Sequence, residues 1–152
     1  MSPTIHPPGA GVPAGQRAVV LFDGVCNLCL AWVRFVIARD PAGRVAFAPL
    51  QSDTARRLLA AHGGLPPGTD SIVVLDGGRL HVRSEAALAV ARRLRAPWPF
   101  LARVAGLVPR GLRDAIYDRV ARGRYRWFGR RDTCALPEPA AADRFLDGPP
   151  SP

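Results

Sequence analysis

The chain predicts an α/β fold: a central mixed four-stranded sheet flanked by helices, with extra C-terminal helices. Three observations predict it. Short apolar runs alternate with stretches of helical periodicity. An Asp-Gly-Gly turn joins two of the runs. And 152 residues with 48% hydrophobic content suffice for one core without disulfide staples.

Arg17 to Gly24, carrying Ala18-Val19-Val20-Leu21-Phe22, reads as a buried strand closed by glycine. Asn27 to Arg39 reads as a helix, because Cys29, Trp32, Val33 and Val36 fall on one stripe at i, i+3, i+4 and i+7. Asp40-Pro41-Ala42-Gly43 ends that helix. Arg44 to Leu50 alternates Val45 and Phe47 with small or polar residues and is the second strand. Ser52 to His62 is a helix capped by Ser52 or Asp53 and stopped by Gly63-Gly64.

Ser71 to Asp76 is the third strand, and Asp76-Gly77-Gly78 turns it into the fourth, Arg79 to Arg83. Ser84 is placed to cap a helix from Glu85 to about Arg95. Pro97 to Val108 and Arg110 to Arg122 are two further helical segments, the latter opened by Pro109. Strand, helix, strand gives a parallel pair with a right-handed crossover, and the hairpin adds antiparallel strands on the other side. That order is the thioredoxin-like arrangement.

Composition sets the boundaries. Residues 1–16 are rich in Pro and Gly and read as a disordered arm, 17–136 as the folded domain, and 137–152 as a Pro- and Ala-rich tail in which Phe145 and Leu146 are the residues able to dock. The N-terminus lacks the pattern of a secretory signal, and no run is long enough for a membrane span, so a cytoplasmic protein is expected. The formal charge is +9, yet all 21 basic residues are arginine. With abundant Ala, Gly and Pro, this reflects coding bias as much as a nucleic-acid surface, and nucleic acid is disfavoured as a partner.

Three cysteines are too few for a disulfide scaffold. Two of them, Cys26 and Cys29, form a Cys-x-x-Cys pair where the first strand hands over to the first helix. At a helix N-terminus, unpaired backbone N–H groups and the positive end of the helix dipole favour a thiolate, the species that attacks disulfides. Cys29 begins the buried stripe and is expected to be the less accessible sulfur. The roles follow: Cys26 attacks and Cys29 resolves the mixed disulfide. Asp23 reads as an N-cap or turn residue and, if partial burial raises its pKa, as a proton carrier for Cys29, two roles that can coexist.

The run Leu21-Phe22-Asp23-Gly24-Val25-Cys26-Asn27-Leu28-Cys29 resembles the signature of the DCC family of thiol–disulfide oxidoreductases, named for an Asp-x-x-Cys-x-x-Cys motif. The likeness continues through Phe47 to Ser52, Asp70 to Val74, Ser84 to Ala87, and Tyr117 to Cys134. The resemblance implies a thioredoxin-like fold and protein disulfide reductase or exchange activity, with Asp23, Cys26 and Cys29 as the motif residues. The partners would be a protein or small-molecule disulfide and an external thiol reductant, with no bound cofactor. One departure is the stretch Gly68-Thr69-Asp70-Ser71-Ile72, which has no proline where better-known thioredoxin-like enzymes place a cis-proline.

Two other classes compete. Arg119, Arg122, Arg124, Arg126, Arg130 and Arg131 interleave with Tyr117, Tyr125, Trp127 and Phe128, a pattern able to bind nucleic acid. The plainer reading packs the aromatics onto the sheet while the arginines reach into water. A zinc-dependent interaction domain would need more ligands than one Cys-x-x-Cys pair, Cys134, His6, His62 and His81 readily supply, so no metal is expected. Trp32 reads as core, Trp98 and Phe100 as residues able to line a groove, and Cys134 as an exposed spectator thiol.

Overall fold

The computed structural model describes residues 17–65, 72–76, 78–130 and 145–146. Four strands, β1 (Ala18–Phe22), β2 (Val45–Pro49), β3 (Val73–Asp76) and β4 (Arg79–Val82), form one sheet in the order β2-β1-β3-β4. β1 runs parallel to β2 and antiparallel to β3, and β3 pairs antiparallel with β4. The mixed sheet is the one the sequence predicts. The helices are α1 (Asn27–Ala38), α2 (Asp53–Ala61), α3 (Arg83–Ala91), α4 (Trp98–Ala105) and α5 (Arg110–Phe128). The arm 1–16, the turn residue Gly77, the segment 66–71 and Cys134 lie outside the described residues, as does all of the 137–152 tail except Phe145 and Leu146.

Successive residues of β1 point to opposite faces and so build two layers. Val20 and Phe22 pack with Val33 and Val36 of α1 and with Ala86 and Val90 of α3. Leu21, on the other face, packs with Ala48, Val73 and, from α2, Ala55 and Leu59. β1 and β2 are covered on both sides, which is why they read as unbroken apolar runs. Asp40 organises the return from α1 to β2: its two carboxylate oxygens accept the backbone N–H groups of Arg44 and Val45. Ser52 caps α2 as expected, its hydroxyl accepting the Ala55 N–H at 3.1 Å.

Four details differ from expectation. Ser84 does not cap α3; the cap position is Val82, and no side chain fills it. Arg83 adopts φ 57°, which brings the chain into the helix one step early and frees the Ser84 hydroxyl to donate to Asp114 on α5. α3 itself ends at Ala91 rather than near Arg95. α5 continues past Arg122 to Phe128, running straight through Gly123. A Cβ at Gly123 would come within 2.8 Å of the Trp127 ring, so the glycine gives that ring a place to lie. Trp98 does not line a groove: its ring meets Phe35 edge-on at 4.9 Å, with Arg39 stacked over Phe35.

Phe145 completes the core. It is 2% exposed, contacts the rings of Phe22 and Phe47, and forms a parallel bridge with Phe47, whose carbonyl accepts the Leu146 N–H at 2.9 Å. This pairing lies along the outer side of the edge strand β2, where exposed backbone groups would otherwise invite association. Phe145→Ala is expected to lower the unfolding free energy by about 3–5 kcal/mol in urea titration, while Phe100→Ala at an exposed position stays within about 0.5 kcal/mol.

Candidate functional site

β1 stops at Phe22, and Asp23-Gly24-Val25 carry the chain into Cys26, the N-cap of α1. The backbone of Cys26 is extended, and its Sγ accepts the Cys29 N–H at 3.4 Å. The sulfur thus occupies the place a serine or aspartate oxygen takes at an ordinary helix start, facing donors that have no partner within the helix. Both thiols are free.

The order of accessibility is the reverse of the sequence-based expectation. Cys26 is 0% exposed and Cys29 6%. The cause is the end of α5. Gly129 turns at φ 88° and its carbonyl accepts the Asn27 N–H, while Asn27 Nδ2 donates to the Phe128 carbonyl at 2.9 Å. Arg130 then forms an antiparallel bridge with Cys26 itself. A side chain at Gly129 would reach 2.9 Å from Asn27 Nδ2, so the close passage of this strap favours glycine twice over. Cys29, by contrast, borders an apolar cavity of about 280 Å³ that Trp32, Tyr117 and Val120 also line.

Asp23 is buried beside the pair and fully engaged. Oδ1 accepts the Val25 N–H at 3.1 Å and Gln51 Nε2 at 2.9 Å. Oδ2 accepts the Tyr125 hydroxyl and lies 3.5 Å from the guanidinium of Arg124, which is itself buried. Gln51 also accepts the Gly24 N–H, closing the loop around the carboxylate. Burial alone would raise the Asp23 pKa, but the hydrogen bonds from Tyr125, Gln51 and Val25 and the charge of Arg124 outweigh it and hold the carboxyl below its ordinary value. The condition on which a proton-carrier role for Asp23 rests, a raised pKa, is not the direction these contacts give: the buried group is kept ionised.

That charge has an effect on its neighbour. The Cys29 thiol is pushed up by burial, then by the hydrogen bond and charge of Cys26 and by the charge of Asp23. Tyr125 is raised as well, by burial and by its bond to Asp23. The Cys26 sulfur caps the helix, and Cys29 is held as a thiol.

The arginine and aromatic block divides. Tyr117 packs against the core, as the plainer reading expects; Tyr125 turns inward to bond Asp23, and Trp127 and Phe128 are exposed. Arg124 does not reach into water; it is buried against Asp23. Trp32 packs partly buried against the core and lines the cavity. Among the described residues, no group of three or more His, Cys, Asp or Glu side chains is placed to hold a metal ion, and no helix is long and apolar enough to cross a membrane. Gln51, Arg124 and Tyr125 escaped the sequence reading as partners of Asp23. The available signal was chemical: a carboxylate in a buried motif needs donors, and these residues stand in the blocks that carry the family resemblance.

The family model for DCC1-like thiol-disulfide oxidoreductase matches residues 20–130. An uncharacterized protein, YuxK, of Bacillus subtilis (strain 168) is 44% identical over 128 residues, covering 84% of this chain and 93% of that protein. The DCC family protein At1g52590, chloroplastic, of Arabidopsis thaliana is 39% identical over 121 residues, covering 80% of this chain and 70% of that protein. No solved structure matches the chain significantly.

Removing the buried anion tests the network. Asp23→Asn leaves Arg124 without its counter-charge and is expected to cost about 3 kcal/mol in urea unfolding at pH 7. Because the folded-state pKa is depressed, the stability that Asp23 contributes is present above the unfolded value of about 4 and is lost as pH falls through the folded one. The difference between parent and variant should therefore shrink when the titration is repeated in acid.

Proposed function

This chain belongs to the DCC1-like thiol-disulfide oxidoreductase family, and on that premise we propose that it transfers two electrons between its Cys26–Cys29 pair and a disulfide substrate. One observation carries the proposal: two free thiols share one helix start, the sulfur of Cys26 accepting the backbone N–H of Cys29. In the reductase direction, the Cys26 thiolate attacks one sulfur of a protein or small-molecule disulfide. A mixed disulfide forms, and the other substrate sulfur leaves as a thiolate that takes a proton from water.

Resolution follows from the electrostatics. While Cys26 is negative, its charge helps keep Cys29 protonated. Once Cys26 is tied up in a neutral mixed disulfide, that contribution disappears and Cys29 gives up its proton more readily. The Cys29 thiolate then attacks Cys26 Sγ, and the bond from Cys26 to the substrate sulfur breaks. That sulfur leaves as a thiolate that takes up a proton equivalent to the one Cys29 released, so the substrate departs fully reduced. The protein is left with a Cys26–Cys29 disulfide, two electrons poorer, and an external thiol reductant restores it. The ionised Asp23 acts here as a fixed charge that delays Cys29 until its turn. The cytoplasm, with its reducing thiol pool, suits this direction.

Attack requires Cys26 to be reached, so the strap 128–130 must lift from it. Asn27→Ala removes the side-chain bond to the Phe128 carbonyl and is expected to speed iodoacetamide labelling of Cys26 several-fold, read by mass spectrometry of the peptide. The exchange itself is tested by paired substitutions. Cys26→Ser should abolish reduction of a model protein disulfide, and Cys29→Ser should accumulate mixed disulfide at Cys26. If reduction survives Cys26→Ser with an intact fold, the assignment of the attacking sulfur fails.

A further inference from the structure

On the outer surface of α4 and α5, Val120 also lines the cavity beside Cys29, whereas Leu112, Ile116 and Trp127 stand clear of it. Leu112, Ile116 and Val120 recur at four-residue spacing on the solvent side of α5, and Trp127 extends the row. Phe100 and Val104 of α4 are exposed beside the connection that joins the two helices, whose tip presents Leu107 at 84% exposure. Single exposed apolar residues are ordinary, but a row of them along one helix face is not.

The charges around that row have one sign. Arg119, Arg122 and Arg126 follow each other at spacings of three and four along its flank, all exposed, and Arg103 is exposed on α4. Residues 98–128 contain seven arginines and two acidic residues, Asp114 and Asp118. Both aspartates are turned toward α3, where Asp114 accepts from Ser84 and Asp118 pairs with Arg83. The exposed face is thus apolar along its centre and cationic at its margin.

We propose that this face docks on an anionic phospholipid surface, with α5 lying in the interfacial plane, the leucine, isoleucine, valine and tryptophan side chains entering the acyl boundary, and the arginines meeting lipid phosphates. A helix with an apolar row and a polybasic flank has the make-up of an interfacial helix. Charge complementarity selects this occupant over a second copy of the chain, because a self-complementary contact would set the arginine rows against each other. It also selects it over nucleic acid. The row on α5 is aliphatic apart from Trp127, and the tyrosines that would stack on bases point inward, Tyr117 onto the core and Tyr125 onto Asp23.

The test is cosedimentation of the full chain with vesicles of phosphatidylcholine alone or mixed with phosphatidylglycerol. Binding is expected to the mixed vesicles and to be much weaker on the neutral ones. The triple variant Arg119→Gln, Arg122→Gln, Arg126→Gln should bind roughly hundredfold more weakly, at about fivefold per arginine near an anionic surface. Leu107→Asp with Ile116→Glu should also lose binding, with an unchanged circular dichroism spectrum because both positions are exposed. A second readout needs no variant of the row's aliphatic residues: brominated acyl chains should quench the unmutated protein more than Trp127→Phe. The proposal is overturned by failure to bind the mixed vesicles, by binding that ignores Leu107→Asp with Ile116→Glu, by tighter binding to an oligonucleotide than to vesicles, or by a dimer that Ile116→Glu dissolves in the absence of vesicle binding. None of these readouts depends on the cysteines, so the outcome is separable from that of the exchange chemistry.

Discussion

A charged carboxylate buried at the end of the first strand organises this molecule. Taking Asp23 out of water is costly, and its position is tenable only because four donors converge on it. Two are local or nearby, from Val25 and Gln51; the other two, Arg124 and Tyr125, come from the last helix. To deliver them, α5 must cross the end of the sheet and run well past the point where composition suggests a stop. The same path carries Gly129 and Arg130 over Cys26. Neutralising the aspartate and covering the sulfur are therefore one structural event.

This arrangement also makes two chemically identical residues different. Cys26 stands at a helix start with its sulfur turned to a backbone donor, whereas Cys29 sits one turn in, beside the ionised Asp23. In the proposed exchange, the asymmetry supplies an order of events without any moving base. A carboxylate kept ionised by its partners is a poor proton carrier but a steady source of field. The physical role of the motif aspartate is then set by α5 as much as by the motif.

Most of the sheet was legible from local pattern. Ala18 to Phe22 and Val45 to Pro49 are apolar on both faces because helices cover both, and Asp40-Pro41 and Gly63-Gly64 mark where helices end for backbone reasons that the sequence states directly. The pair at Cys26 and Cys29 was equally legible, being a local spacing. What was not legible depends on residues distant in the chain. Arg124 looked like a solvent-seeking arginine, and only the packing of α5 reveals the aspartate it faces. The covering of Cys26 rests on a bridge to Arg130, and periodicity around the cysteines carries no trace of it. Ser84 illustrates a smaller version: a good capping residue was diverted because Arg83 took a left-handed conformation and an aspartate thirty positions away, Asp114, accepted its hydroxyl.

The ring of Phe145 has a consequence for how the molecule is born. Phe22 and Phe47 emerge from the ribosome early, yet the side chain that closes over them is synthesised only after α5. At translation rates of about 5–20 residues per second, the interval between Phe47 and Phe145 is roughly 5–20 s. Throughout it the nascent sheet has an unsealed aromatic seam beside the bare rim of β2. A chaperone that shields such seams would find its substrate in that window and lose it when the last phenylalanine arrives.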